Sequence, residues 1–200
     1  MMLLDWNCQG IGRSLTVKAL RGLLVQYGPS VMFLIETQNR GSKVERLRRM
    51  FRFPNAFYVD AIGKAGGLAL WWDESTSVEV LSSSFSFIDT CITLIEKDVR
   101  RFSTFIYGLP VRKGRVELWE EISSLRPSTS AIWFLVGDLN TILSEDEKEG
   151  GRSTYRKDIE DFNAFVYHNG LLDLGFKGLT YTWSNQRMGE EEVKEKLDRA

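Results

Sequence analysis

The chain of 200 residues contains one histidine and two cysteines. With so few nitrogen and sulfur ligands, and no C-x-x-C pair, a zinc site is unsupported. Cys8 and Cys91 could form one disulfide, but a reduced intracellular setting is the simpler reading. Cys8 reads as a small hydrophobe in a core rather than a reactive thiol. Proline is scarce, at four residues, and no stretch rich in Pro, Gly or Ser marks a linker. No apolar run approaches the roughly 20 residues that cross a bilayer. The N-terminus lacks the charged and apolar regions of a signal peptide, so a soluble, non-secreted protein is expected. An excess of one charge is missing too: 26 basic side chains face 27 acidic ones, for a net charge of -1. A protein that holds a polyanion through its overall field is usually basic. Any nucleic-acid contact must therefore come from a local patch.

What is present suffices for one core. Hydrophobic residues make up 43% and aromatic residues 12% of the chain, which fits a single domain over residues 1–200. Residues 2–6 read as a short strand and 7–12 as a loop with two glycines. Val17, Leu20, Leu24 and Tyr27 recur at helical spacing until Gly28-Pro29 ends the pattern. Residues 31–35 are continuously apolar, as in a strand buried on both faces, and end at Glu36. Residues 43–51 predict a second helix, with Arg46, Arg48, Arg49 and Arg52 on a solvated basic face. From 55 to 107 the chain reads as mainly β, with strands at 57–59, 67–72, 78–81, 88–95 and 102–107. Leu118, Ile122 and Leu125 mark a helix that Pro127 ends, and 132–136 is a second fully apolar strand before Gly137-Asp138. Ile159, Phe162 and Val166 mark a last helix closing at Asn169-Gly170, followed by short strands at 180–183 and 195–197. Helices mixed with long β stretches argue for two sheets packed face to face with helices outside, not for simple βαβ alternation.

Three of the expected strands share a property: the first delivers Asn7, the second Glu36, and the third Asp138 with Asn140 just beyond. A polar residue at a strand end is ordinary, since the chain is leaving the core there. Three together, all carboxylate or amide, suggest a convergent site. Such oxygens suit a hard cation such as Mg²⁺, which uses few protein ligands and keeps several waters. A further carboxylate could take a proton from an attacking water. The stretch 63–67 does not follow the phosphate-loop pattern of G-x-x-x-x-G-K with Ser or Thr. The run 145–149 reads as a solvated acidic loop.

Six stretches, Trp6-Asn7-Cys8-Gln9-Gly10, Leu34-Ile35-Glu36-Thr37, Ile106-Tyr107-Gly108, Gly137-Asp138-Leu139-Asn140, Tyr181-Thr182-Trp183-Ser184-Asn185 and Lys196-Leu197-Asp198-Arg199, resemble in order and rough spacing the motifs of the endonuclease/exonuclease/phosphatase family. Three more, around Gly66-Gly67-Leu68, Glu147-Lys148-Glu149 and Asp173-Leu174-Gly175, are similar to the endonuclease domain of plant LINE-type retroelements. The resemblance implies a four-layer α/β sandwich and Mg²⁺-dependent phosphodiester hydrolysis of DNA. It implies Glu36 as the main Mg²⁺ ligand with Asn7 beside it, and Asp138 orienting or deprotonating the water. Asn140 would steady the nucleophile or the phosphate, and Tyr107 would hydrogen-bond the phosphate. Asp198 would hold a catalytic histidine in its working tautomer. Arg112 and Lys113 could meet DNA phosphates, and Trp183 and Asn185 are further substrate-binding candidates, although Trp183 also reads as a core residue. A nuclear location follows if the chain is a retroelement endonuclease.

The resemblance also implies a histidine on a later strand, and the last residue, Ala200, comes before it. The one histidine, His168, falls in the last turn of a helix, where a solvent-facing side chain suits the helix dipole. The expectation is a domain incomplete at its C-terminus, lacking its last strands, less stable than a whole one and impaired in activity. The rival readings are an inactive retroelement remnant, a DNA-binding module that kept the fold, and, from another substrate class, an inositol-phosphate phosphatase or deadenylase.

Overall fold

The computed structural model describes residues 1–63, 65–128 and 131–200; Lys64, within the glycine-rich stretch weighed as a phosphate loop, lies outside them. In chain order the regular elements are β1 (Leu3–Asn7), α1 (Ser14–Tyr27), β2 (Val31–Ile35), α2 (Gly41–Met50), β3 (Asn55–Val59), β4 (Leu68–Trp72), β5 (Thr76–Ser83), β6 (Phe87–Leu94), β7 (Val99–Tyr107), α3 (Arg115–Ser124), β8 (Trp133–Asp138), β9 (Lys148–Glu149), α4 (Arg156–Asn169), β10 (Trp183–Ser184), β11 (Lys194–Glu195) and β12 (Asp198–Arg199). They fall into two compact units, one of Met1–Ile106 and Thr129–Gly137, the other of Tyr107–Ser128 and Asp138–Ala200.

Unit one is built on two sheets. In the first the order is β1-β2-β4-β3, with β1 parallel to β2 and β4 antiparallel to both β2 and β3. The two-residue period of a strand splits its side chains between two faces. Met32 and Leu34 of β2 and Ala69 and Trp71 of β4 join a buried cluster with Leu20 of α1 and Val44 of α2. Phe33 points the other way and meets Phe105 of β7, ring centroids 5.1 Å apart. The second sheet runs β8-β7-β6-β5 and supplies Ile88, Ile92 and Phe105 to the buried core. β2 is buried along its whole length because both faces are covered. Each fully buried side chain of this kind contributes about 1.5–3 kcal/mol of apolar transfer.

Unit two pairs α3 with α4 through Trp119, whose ring lies 5.2 Å from Phe162 and 5.0 Å from Phe165. Asn169, at the end of α4, donates to the Ser123 hydroxyl at 2.9 Å. A three-stranded sheet, β10-β11-β9, and the two-residue β12 complete its regular structure. The observed class is the one expected: a mixed α/β fold with sheets flanked by helices.

Three local differences have physical causes. α2 starts at Gly41, ahead of the expected residue 43, because the Asp60 carboxylate accepts the Gly41 N–H at 2.8 Å and caps the helix from 19 residues away. The strand expected at 180–183 shrinks to Trp183–Ser184. The Thr182 N–H still donates to the Glu195 carbonyl at 3.0 Å, but the next N–H groups, of Leu197 and Asp198, donate to the Thr182 hydroxyl at 3.0 and 3.2 Å. The acidic stretch at 145–149 is not solvated throughout: Glu147 is half-buried and pairs with Lys196 and Arg199.

Candidate active site

Two groups of polar side chains form at strand ends, one in each unit. In unit one, parallel pairing sets Asn7 of β1 opposite Ile35 of β2, so both strands finish at the same end. The next residue, Glu36, turns into the left-handed region at φ 52°. Its carbonyl accepts the Gly10 N–H at 2.9 Å, while Thr37 and Gln38 donate to Gly67 and Gly66, both at 2.9 Å. A non-glycine residue held in that conformation by its surroundings is a frequent mark of a functional site. The Asn7 carboxamide donates to one Glu36 carboxylate oxygen at 3.0 Å, and the Gln38 carboxamide donates to the other at 3.2 Å. Asn7 also accepts the Gln9 N–H at 3.3 Å. The neighbouring Cys8 is buried, and that burial pushes its thiol up to about 12, so it stays protonated and packs as expected.

In unit two, β8 ends at Asp138, a buried residue. Its carboxylate accepts the Asn140 N–H at 3.0 Å, and the Asn140 carboxamide donates to the Gly108 carbonyl at 2.9 Å. Asn140 is left-handed at φ 50°. The Gly108 N–H donates to the Asp138 carbonyl at 2.7 Å. A Cβ on Gly108 would stand 2.1 Å from the Leu139 carbonyl oxygen, so only glycine allows this approach. Tyr107, the residue before it, is buried at the end of β7. Leu139 donates to the Leu197 carbonyl at 2.9 Å, which sets β12 beside the Asp138 end of β8. Asp198 therefore joins Asp138 and Asn140 in one neighbourhood. Burial raises the Asp198 carboxyl above the ordinary aspartate range, with the Thr182 hydroxyl acting against it.

The remaining candidates have their own occupations. Arg112 is ion-paired with Asp158 and lies over the Tyr155 ring, 4.0 Å from its centroid. Lys113 is exposed beside it. Both line a shallow cavity of about 480 Å³ with Arg115, Trp119 and Asp158. Trp183 is 37% exposed and so is not the core residue that its type suggested. It lines a second shallow cavity, of about 440 Å³, with Tyr181, Thr182 and Lys194. Asn185 organises its own loop, donating to the Glu191 carbonyl and accepting the N–H groups of Arg187 and Val193. His168 is exposed in the last turn of α4. Gln38 is a residue that the sequence pattern does not mark: with Glu36 and Gln38 both left-handed, strand alternation does not bring their side chains together.

The profile of the endonuclease/exonuclease/phosphatase family matches residues 6–190. The chain belongs to the endonuclease/exonuclease/phosphatase family. A search of curated proteins finds no match. Among solved structures, the AP endonuclease LMAP from Leishmania major superposes with a TM-score of 0.73 at 14% identity, over 98% of this chain and 77% of its own. The endonuclease domain of TRAS1, a telomere-specific non-LTR retrotransposon, gives 0.70 at 14% identity, over 98% and 82%. The 3'-5' exonuclease NExo from Neisseria meningitidis gives 0.71 at 14% identity, over 100% and 85%. At such identity these likenesses speak for the fold. Members of the endonuclease/exonuclease/phosphatase family generally depend on a divalent metal. The Glu36 carboxylate offers such an ion hard oxygen atoms, and the Asn7 amide holds that carboxylate through its nitrogen. Among the described residues no group of three or more His, Cys, Asp or Glu could hold a metal ion by itself.

Proposed function

We propose that this family member is a Mg²⁺-dependent DNA phosphodiesterase of the nicking type, an endonuclease domain of a plant LINE-like retroelement. The observation that carries the reading is the Asn7–Glu36 pair, an amide and a carboxylate joined at 3.0 Å on a left-handed backbone at paired strand ends. Glu36, helped by Asn7, would hold the ion. Bound Mg²⁺ supplies charge neutralisation at a phosphate oxygen and at the leaving group. Asp138 would accept a proton from the attacking water, and its bond to the Asn140 N–H fixes the carboxylate for that role. Tyr107 and Asn140 would hydrogen-bond phosphate oxygens. Asp198 would orient an imidazole donor. The AP endonuclease, retrotransposon endonuclease and exonuclease among the structural neighbours support a nuclease, and the 3' phosphatase NExo bound to a product DNA hairpin supports DNA as the partner.

A second reading is a DNA-binding module that kept the fold without cleavage. A supercoiled-plasmid assay separates the two. Nicking in Mg²⁺ that disappears in EDTA, and that Glu36→Ala or Asp138→Ala lowers by ~10²-fold or more, is the expected outcome. Binding that persists in EDTA with no nicking under any condition would leave the second reading standing and sink the first.

A further inference from the structure

We propose that Gln38 is a positioning residue for the cation-holding carboxylate, a neutral amide that presets Glu36 for a divalent ion. The inference rests on the reading that Glu36 holds that ion. A glutamate side chain has three rotatable bonds, and freezing them opposes cation binding unless the protein has done so already. Here Asn7 donates to one carboxylate oxygen at 3.0 Å and Gln38 to the other at 3.2 Å. The two amides together fix the direction in which the carboxylate points.

Gln38 is itself held. Its backbone sits at φ 50°, a conformation that costs a non-glycine residue free energy and that its neighbours enforce. The Gln38 N–H donates to the Gly66 carbonyl at 2.9 Å, and Asn39 ties back to the Thr37 carbonyl at 2.8 Å. Gly10 faces the carboxamide: a Cβ there would lie 3.2 Å from the Gln38 side-chain oxygen, and the φ of +102° favours glycine as well. The glycine leaves room on one side of the amide while Glu36 takes up the other. Charge matters too. A lysine at position 38 could donate the same hydrogen bond, but its ammonium would repel an ion on the same carboxylate. A glutamine gives the orientation without the repulsion.

Mn²⁺ alone, followed by electron paramagnetic resonance on the full chain and displaced by Mg²⁺, provides the test. Partners that orient a metal ligand typically alter affinity by ~10–100-fold. Wild type should bind, Glu36→Gln should lose binding, and Gln38→Met should weaken it by about 10-fold or more, with an unchanged thermal midpoint. Gln38→Lys should also bind more weakly than wild type, and the deficit should shrink at high ionic strength. If Glu36→Gln loses the ion but Gln38→Met binds as wild type does, Gln38 has no positioning role and Glu36 keeps its own. If Gln38→Met lowers the thermal midpoint and leaves affinity alone, Gln38 is a structural residue and the proposal fails. If Glu36→Gln binds Mn²⁺ like wild type, the metal reading falls and the proposal goes with it.

Discussion

Asp89 is an acid 5% exposed in the middle of a sheet. On β6 it pairs in register with Thr104 of β7, and with Ser82 of β5 beside the irregularity between Val80 and Ser82. Its oxygen accepts the Thr104 hydroxyl at 2.7 Å, and Thr104 in turn accepts the Trp133 indole N–H at 2.8 Å. Burial outweighs these bonds and the Thr90 N–H, and raises the carboxyl above the ordinary aspartate range. A raised acid binds its proton more tightly in the folded state than in the unfolded one. Stability therefore falls as the pH rises from the ordinary aspartate value through the raised one, and stays at the lower level above it. Asp89→Asn keeps an acceptor for Thr104 and removes the buried charge. It should stabilise the protein at pH 7, on the order of 1 kcal/mol, and change little below the ordinary aspartate range. Urea unfolding at the two pH values checks this, and a loss at pH 7 that vanishes at low pH would mean that the ionised form is the one the sheet was built around.

At the level of elements, the last strand is fastened by charge. Arg199 of β12, with its side chain 5% exposed, pairs with Glu147 and with Asp173, the latter at 2.6 Å. Lys196, 9% exposed, joins Asp173 at 2.9 Å and Glu147 at 3.5 Å. Burial opposes ionisation of both acids, but the Arg199 and Lys196 bonds and nearby N–H groups prevail, and both carboxyls fall below their ordinary range. Their contribution is thus complete above the ordinary carboxylate range and is lost as the pH drops through the lowered values. Arg199→Ala should cost about 1.5–3 kcal/mol, because Glu147 and Asp173 lose the arginine bonds while Lys196 still faces both. Arg199→Lys should recover part of that, and the chemical-denaturation midpoint at neutral pH measures both. None of this could be read from local pattern. Glu147 and Arg199 are 52 residues apart, and Glu147 sits in an acidic stretch that reads as solvated. β2 and α4 were legible because an unbroken apolar run and a three-to-four spacing leave few alternatives. Asn7, Glu36, Asp138 and Asn140 were legible as polar residues at the ends of such runs. Gln38 and the Asp60 cap depend on which loop folds back onto which, and hydrophobic period carries no information about that.

For the whole molecule the question is how a chain of net charge -1 would meet DNA. Many of its cations already face carboxylates: Arg48 and Arg49 share Glu45, and Lys196 and Arg199 are buried in their cluster. Arg112, ion-paired with Asp158, is half-exposed on the rim of a cavity with Arg115 and Lys113. Each phosphate neutralised adds about -0.9 to the slope of log K against log salt. With so many cations engaged, the expected slope is shallow, corresponding to roughly three phosphates or fewer. Releasing Arg112 offers the sharper prediction. Asp158→Asn removes the competing carboxylate from beside Arg112 and Arg115. Binding of a short duplex in EDTA should then tighten and its salt slope steepen by about one phosphate. Arg112→Ala in the Asp158→Asn background should reverse both changes. A slope that stays the same in Asp158→Asn would place the DNA contact away from this rim.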